Sequence, residues 1–243
     1  MCVIIIKSKG QPWPSKTLLN KAMDANPDGF SFAWNEDEKV RNYKSLSRED
    51  ALNFYEIIRK LDVKFTGMIF HARRVSVGDK NRDNCHCWIR HNIGFAHNGT
   101  MNTIPTKKGV SDSRTFFEDY FSPAYRAYGM DYALKLTRAI AAPSASRMAF
   151  INGNGDIQVV GTFQCVNDKK NVPYYVSNTA PFISKPSTEG RISLLRDPVT
   201  GLPQHADGQP ASRGRRNVNM DRFIQMERDL FHQDVQGKDD MPF

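Results

Sequence analysis

The first six residues constrain this chain more than any other stretch. Cys2 is followed by four β-branched residues at positions 3–6, with no turn signal between them, a pattern that predicts a buried strand starting at a thiol. The initiator methionine is normally removed before a small residue, so we expect the mature chain to begin at Cys2. Its free α-amine, with a reference pKa of about 7.7–8.0, would then stand beside the thiol as a general base. The alternative is a buried cysteine that serves only as a small hydrophobe.

The length and composition indicate a globular protein. The chain has 243 residues and 27.6 kDa, with 40% hydrophobic and 11% aromatic residues. That is enough for one large domain or two small ones, and it excludes wholesale disorder. No run approaches the about 18 apolar residues of a membrane span, and the N-terminus lacks the pattern of a signal peptide. We therefore expect a cytosolic protein with no membrane partner.

The cysteines of a large cytosolic domain are expected to be reduced thiols. They are Cys2, Cys85, Cys87 and Cys165. A metal cluster of Cys85, His86, Cys87 and His91 is an alternative, but the spacing lacks the Cys-x₂₋₄-Cys form of structural zinc sites. The sequence therefore predicts no metal and no cofactor.

The net charge of +8 raises the question of a nucleic-acid partner. Residues 1–185 carry 26 Lys and Arg against 17 Asp and Glu, so the excess is spread over the body of the chain. Diffuse positive charge attracts polynucleotides. No basic run is interleaved with aromatic residues, however, as single-strand binding favours. Nucleic acid thus stays an alternative partner rather than the preferred one.

Apolar residues become sparse near Pro186, which predicts a boundary between a globular domain of residues 1–185 and an extension of residues 186–243. Within the extension, residues 201–217 are rich in Gly, Pro, Gln and Arg and are predicted to be a loop or disordered. An apolar stripe predicts a helix near residues 220–231.

The globular part alternates short strands with helices. Ser15 and Ser47 are predicted N-caps, and the second helix is expected to reach about Leu61. The other predicted elements are strands at 30–34, 65–71, 93–97, 147–152, 157–164 and 174–177 and helices at 114–121 and 130–142. Asn98-Gly99 is the strongest two-residue hairpin signal. Its functional alternative is a pair of donors suited to an oxyanion.

Other polar residues stand where a strand or a helix meets a loop. His71 and Arg73 lie at the exit of a predicted strand, which favours a position facing a cleft. Ser111 or Asp112 is expected to cap a helix, and Asp112 is equally suited to bind a ligand ammonium.

Together these stretches resemble the class II glutamine amidotransferases, a family of N-terminal nucleophile hydrolases. The matching motifs are Met1-Cys2, Pro27-Asp-Gly-Phe30, His71-Ala-Arg73 with Ser76 and Gly78, Asn84-Cys-His86, Phe95-Ala-His-Asn98-Gly99 and Ser111-Asp112-Ser113. Their order and spacing cover roughly residues 1–180. The resemblance implies an α+β fold, a four-layered αββα sandwich of two mainly antiparallel sheets.

The resemblance also implies roles for individual residues. Cys2 would attack the side-chain amide of glutamine to form a thioester and release ammonia. Asn98 by its side chain and Gly99 by its N–H would form the oxyanion hole. Arg73 would pair with the α-carboxylate of the substrate, and Asp112 would pair with its α-ammonium. His71 and Ser76 would lie beside the substrate, and His71 is expected to be structural rather than catalytic.

The sequence departs from the family pattern at three places. Arg114 stands where an acidic residue is common, Arg74 where an aromatic residue is common, and Cys87-Trp88 where Pro-Phe often stands. The two arginines predict a more basic pocket. Substrate identity therefore stays open among glutamine, a γ-glutamyl amide and a glutamine-like anion.

Three functions follow, in order of preference. The chain has no room for a synthase domain, so the first is a glutaminase subunit that delivers ammonia to a separate synthase. The second is a stand-alone γ-glutamyl amidohydrolase. The third is an inactive family member that acts as a basic module binding nucleic acid or another partner, which would show salt-sensitive polynucleotide binding.

Overall fold

The computed structural model describes residues 2–183 of the chain. The predicted helix near residues 220–231 and the rest of the predicted extension lie outside the described residues, as does Met1. Among the helices that are described, none has the length and apolar character needed to cross a membrane.

Ten strands and four helices make up the described part. The strands are β1 (Val3–Lys7), β2 (Gly29–Glu36), β3 (Lys39–Ser45), β4 (Met68–Arg73), β5 (Trp88–Arg90), β6 (Ile93–Asn98), β7 (Arg147–Asn152), β8 (Ile157–Val160), β9 (Gln164–Asn167) and β10 (Pro173–Val176). The helices are α1 (Lys16–Ala25), α2 (Arg48–Ile58), α3 (Asp112–Phe116) and α4 (Ser122–Ala141).

The strands form two fully antiparallel sheets. The larger has the order β3-β2-β4-β1-β10-β9, and the smaller has the order β5-β6-β7-β8. The first strand, β1, lies inside the larger sheet, paired with β4 on one side and β10 on the other. The position of Cys2 is thereby set by strands from both halves of the described chain.

The apolar run of β1 is explained by burial on both faces. Val3 and Ile5 pack under α1 and α2, while Ile4 and Ile6 face the second sheet. Successive side chains of a strand point to opposite faces, so an unbroken apolar run suits a strand covered on both sides.

The outer face of the smaller sheet is covered by α3 and α4. Phe95 and Phe150 of that sheet pack against Phe116, Phe117 and Phe121. The layers are thus helix, sheet, sheet, helix, and the α+β four-layered architecture predicted from the sequence is confirmed.

Helix N-caps were predicted well. Ser15 accepts a hydrogen bond from the N–H of Leu18, and Ser47 accepts one from the N–H of Asp50. Ser111, one of the two candidates, caps α3. A serine oxygen that accepts an orphan N–H in the first turn is the interaction that a capping sequence encodes.

Several boundaries differ from the prediction. The strand expected at 65–71 is β4, which begins at Met68 and leaves Phe65 61% exposed, and α2 ends at Ile58 instead of near Leu61. The two helices expected at 114–121 and 130–142 are joined by a π-helical turn and by the first turns of α4, which breaks at Gly129 with φ +81°.

The Asn98-Gly99 pair is not a hairpin turn. Asn98 ends β6, whose partners are β5 and β7, and residues 99–111 form the connection to α3. The hairpin prediction was wrong because the turn signal is local, whereas strand pairing here is decided by the burial of β6 between two other strands.

Candidate active site

Cys2 lies directly before β1 and is 9% exposed. Its Sγ is 3.4 Å from both the backbone N and the backbone O of Arg74. Burial raises the pKa of the Cys2 thiol above its ordinary value. The thiol is therefore protonated near neutral pH, and its use as a nucleophile requires a base.

Arg73 ends β4 and reaches the site because β4 runs antiparallel to β1, with Ala72 opposite Val3. Its side chain is 2% exposed, and its guanidinium donates to the carbonyls of Asp79 at 2.9 Å and Val77 at 3.1 Å. Two of the five guanidinium N–H groups are thus occupied by these carbonyls, which fix the group in place. The others stay available to a carboxylate.

The loop after β4 is held against the start of α3. Asn84 donates to the carbonyls of Asp79 at 3.1 Å and Gly109 at 2.6 Å, and its Oδ1 accepts from the N–H of Ser111 at 3.1 Å. Gly78 has φ +78°, and a Cβ there would lie 2.7 Å from the Ser111 nitrogen. A glycine and an asparagine of the recognised motifs therefore close this loop onto the helix cap.

Asp112 is the first residue of α3 and is 4% exposed. Its Oδ2 accepts from the N–H of Met101 at 2.6 Å, and its Oδ1 accepts from the N–H of Ser113 at 2.8 Å. Oδ1 also accepts from the Ser113 hydroxyl at 3.3 Å. Oδ2 retains a lone pair, so the carboxylate is held in place and is still able to accept from an ammonium.

Asn98 and Gly99 come from the other sheet, at the end of β6. Asn98 is fully buried. Gly99 has φ +151°, and a Cβ there would lie 2.7 Å from Ser146 Oγ and 2.8 Å from His97 Nε2. No other residue type fits at position 99 without displacing that neighbourhood.

These residues surround two adjoining cavities. The smaller, of about 10 Å³, is lined by Cys2, Arg73, Asp112, Gly99 and His86, among others. The larger, of about 290 Å³, is lined by Cys2, Asn98 and Gly99 together with the residues Arg74, Val75, Ser76, Thr100, Ser144 and Ala145. The structure thus brings together Cys2, Arg73, Asn98, Gly99 and Asp112, five of the residues singled out from the sequence.

The two remaining sequence candidates have different positions. Ser76 lines both cavities. His71 is fully buried and lies beneath the site, outside the lining of either cavity. Arg114, predicted to make the pocket more basic, instead pairs with Glu118 and also lies outside both linings, so of the two unusual arginines only Arg74 reaches the site.

A stack of three buried histidines supports the site. The rings of His71 and His86 are 3.8 Å apart and nearly parallel, and the His97 ring lies 6.4 Å beyond that of His86. His71 Nε2 donates to the carbonyl of His97 at 3.2 Å, and the N–H of His97 donates to His86 Nδ1 at 3.0 Å. The backbone N–H and the backbone carbonyl of His97, the residue before Asn98, are therefore both fixed by hydrogen bonds.

Burial keeps these histidines neutral. It lowers the pKa of His97 to about 4 and that of His71 and His86 well below the usual value. The His97 ring is bonded on both sides, to Ser113 Oγ at 2.8 Å and Ser146 Oγ at 2.9 Å. In the neutral form a ring nitrogen can act as donor or acceptor, so the rings make these hydrogen bonds without placing charge beneath the site.

The alternative metal cluster of Cys85, His86, Cys87 and His91 is not formed in the structure. Cys85 and Cys87 are buried, whereas His91 is exposed, and within residues 2–183 no group of three His, Cys, Asp or Glu side chains could hold a metal ion.

Sequence similarity supports the interpretation of these residues. Residues 15–120 match the family model of the class II glutamine amidotransferases. A Haemophilus influenzae protein named "Putative glutamine amidotransferase" is 25% identical over 178 residues, 65% of this chain and 58% of the relative. Over these residues the chain is therefore similar to the class II glutamine amidotransferases. It spans little more than half of that amidotransferase relative.

Solved structures of amidotransferases are also similar to this chain. Glutamine phosphoribosylpyrophosphate amidotransferase from B. subtilis is 14% identical, with a TM-score of 0.47 over 75% of this chain and 43% of that one. A glutamine aminotransferase class-II domain protein from Silicibacter pomeroyi is 12% identical, with a TM-score of 0.41 over 72% of this chain and 87% of that one.

Sequence reasoning missed three parts of the candidate site. His86 was quoted within a motif but given no role, and Ser144 and Ser177 carried no recognised signal. Ser177 contacts Asn98 and Ile4, contacts that only the pairing of β10 with β1 reveals.

Proposed function

We propose that the protein hydrolyses the side-chain amide of glutamine with Cys2 as nucleophile, releasing ammonia and glutamate. The observation that carries this proposal is the convergence of Cys2, Arg73, Asn98, Gly99 and Asp112 on adjoining cavities, from both sheets and α3. Arg73 and Asp112 are complementary to an α-carboxylate and an α-ammonium, and Asn98 and Gly99 carry donors for an oxyanion.

The proposed reaction begins with removal of Met1. The freed α-amine of Cys2 takes the thiol proton, and the sulfur attacks the amide carbon. The tetrahedral intermediate places its negative oxygen against Asn98 and Gly99. The proton passes from the amine to the leaving nitrogen, ammonia departs, and water then cleaves the thioester to give glutamate.

The test is glutamate release from glutamine by the purified protein, with intact mass to establish the loss of Met1. We expect activity in the wild type, none in Cys2→Ala, and wild-type activity in Cys165→Ala, which removes an exposed cysteine instead. A processed wild type without turnover, or an active Cys2→Ala variant, would contradict the proposed mechanism.

A γ-glutamyl amide is a second candidate substrate, favoured by the larger cavity. Its about 290 Å³ is lined by Cys2 but not by Arg73 or Asp112, whereas a small molecule such as water occupies only about 30 Å³ of liquid volume. Arg74 and the hydroxyls of Ser76, Thr100 and Ser144 line it. An N-substituted amide with a polar or anionic leaving group would fill that space.

The two substrates are distinguished by comparing kcat/KM for glutamine with that for γ-glutamyl-methylamide and γ-glutamyl-glutamate. A preference for glutamine, increased by a partner synthase, supports ammonia delivery to that partner. A preference for either substituted amide supports the stand-alone hydrolase.

A further inference from the structure

One serine joins the nucleophile strand to Asn98. Ser177 directly follows β10 and is 2% exposed. Its N–H donates to the carbonyl of Ile4 at 3.0 Å, and its Oγ accepts from the N–H of Ile4 at 2.8 Å. The same Oγ lies 3.0 Å from Nδ2 of Asn98. Ser177 therefore contacts both the strand that carries Cys2 and the side chain assigned to the oxyanion hole.

When Nδ2 of Asn98 faces Ser177, the hydrogen-bond donors and acceptors of the two side chains do not match. The hydroxyl then receives one N–H from Ile4 and another from Asn98, and its own proton is left without an acceptor. At the same time Asn98 Oδ1 is buried and has no hydrogen-bond partner among residues 2–183. A buried acceptor without a donor destabilises the fold.

Exchange of the two amide atoms of Asn98 gives the Ser177 hydroxyl proton an acceptor. The oxygen and nitrogen of a carboxamide occupy nearly the same volume, so the hydrogen-bond network decides between the two orientations. In the exchanged orientation the Ser177 hydroxyl accepts from Ile4 and donates to Asn98 Oδ1. The exchange also gives up the long hydrogen bond, 3.4 Å, that Nδ2 donates to the Ser177 carbonyl.

The exchange also changes what Asn98 offers to a ligand. Nδ2 then points away from Ser177, and its N–H groups have no hydrogen-bond partner among residues 2–183, so a ligand oxygen is needed to satisfy them. Asn98 lines the larger cavity beside Cys2. An oxyanion hole needs an N–H on that side, whereas an amide oxygen there would repel a developing negative oxygen.

We propose that Ser177 is a positioning residue, whose hydroxyl orients the Asn98 carboxamide so that its N–H groups serve the oxyanion. The inference rests on the proposed amide hydrolysis. Ser177 acts through Asn98 and touches no substrate. Because the same hydroxyl holds Ile4, two residues after Cys2, it also sets the nucleophile strand and the oxyanion donor at a fixed separation.

The experiment is a double-mutant cycle on kcat with the better of the glutamine and γ-glutamyl substrates. Asn98→Ala is expected to lower kcat about 10²–10³-fold, as loss of an oxyanion donor typically does. Ser177→Ala is expected to lower kcat about 10-fold in the wild-type background and less than about 2-fold in the Asn98→Ala background, because residues that act as a unit are not additive.

A purely structural role of Ser177 would give a different result in the double-mutant cycle. If Ser177 only holds the β1 strand through Ile4, its loss costs the same factor with or without the Asn98 side chain, and the inference is overturned. Should Ser177→Ala fail to fold, Ser177→Cys keeps the shape with a weaker donor, and the same non-additivity is required of it.

Two controls separate the possible failures. Thr179→Val removes a hydroxyl two residues away that bonds Gln164 on the surface, and it should keep kcat within about 2-fold. A wild type that turns over neither glutamine nor a γ-glutamyl amide removes the proposed function and this inference with it. An active wild type with an additive cycle removes the inference alone.

Discussion

The two sides of Cys2 are built differently. On one side, Arg73 and Asp112 are almost fully buried, held by backbone groups, and border a space of only about 10 Å³. On the other side is a space of about 290 Å³. Arg74 and Ser76, which are exposed, border it and also reach the smaller space. We call these the closed side and the open side.

We expect the closed side to recognise the glutamyl group of the substrate and the open side to tolerate different leaving groups on its amide. Charged groups that are already desolvated and oriented bind with little loss of side-chain entropy, and they reject molecules that leave them unpaired. Exposed groups with free rotamers discriminate weakly. Substitutions on the closed side should therefore cost far more than substitutions on the open side.

The largest effect is expected from Asp112→Asn, on the closed side. The variant keeps the shape of the side chain but loses the negative charge that would pair with a substrate ammonium. Breaking a buried charge pair costs about 2–5 kcal/mol, so kcat/KM should fall by two to three orders of magnitude in steady-state assays. Asp119→Asn removes an exposed carboxylate nearby and should be silent. Equal losses in both variants would contradict the role of Asp112.

The next effect is expected where the two sides meet, at Gly99. In Gly99→Ala the new methyl group would meet Ser146 Oγ at 2.7 Å, so the peptide that carries the oxyanion donor must rotate. We expect kcat to fall about 10²-fold, the cost of one lost donor. Gly10→Ala is the matched control, since Gly10 also has positive φ but no atom within 4 Å of a Cβ. Near-wild-type kcat in Gly99→Ala would remove the backbone donor from the mechanism.

Below the closed side, the three histidines predict acid sensitivity of folding. The pKa of His97 is lowered to about 4 and those of His71 and His86 are lowered further below their usual value by burial. The unfolded chain takes up these protons near pH 6.5, while the folded chain does not until about pH 4 at His97. Their stabilisation is thus complete above pH 6.5 and is lost as the pH falls toward 4.

Urea unfolding between pH 5.5 and 4.5 measures this dependence. Each buried histidine contributes about 1.4 kcal/mol per pH unit to the slope of the unfolding free energy, so His97→Asn should reduce the slope by that amount. His91→Asn, at an exposed position, should leave the slope unchanged. An unaltered slope in His97→Asn would mean that its imidazole is protonated in the folded protein.

The smallest effect is expected from Arg74→Met, on the open side. Its guanidinium makes one long contact, at 3.4 Å with the carbonyl of Ala25. We expect kcat/KM for glutamine to change less than about 3-fold, and that for γ-glutamyl-glutamate to fall about 10-fold, a loss of about 1.4 kcal/mol. Equal changes in kcat/KM for the two substrates would show that the open side does not discriminate between leaving groups.

The sequence predicted the parts of the site that depend on local chemistry. A thiol before an apolar run placed Cys2 at the start of a doubly covered strand, and Ser-Asp-Ser placed Ser111 at the helix cap with Asp112 behind it. Both patterns express rules that act over a few residues. The αββα layers followed from the family motifs.

The parts that were missed depend on contacts between distant residues. Ser177 lies 79 residues from Asn98 and 173 from Ile4, so its hydroxyl could be connected to the site only after β10 was known to pair with β1. Asn98-Gly99 was ambiguous for the same reason. Arg114 was assigned to the pocket by its neighbour in sequence, whereas the turn of α3 directs it to Glu118.

The central position of β1 has a consequence for hydrogen exchange. Chain ends usually fray, and amides there exchange through small local openings. Ile5 and Ile6 are instead flanked by strand partners on both sides and buried on both faces. Their amide protons should exchange only through global unfolding, which means that the strand following Cys2 is among the last parts of this fold to open.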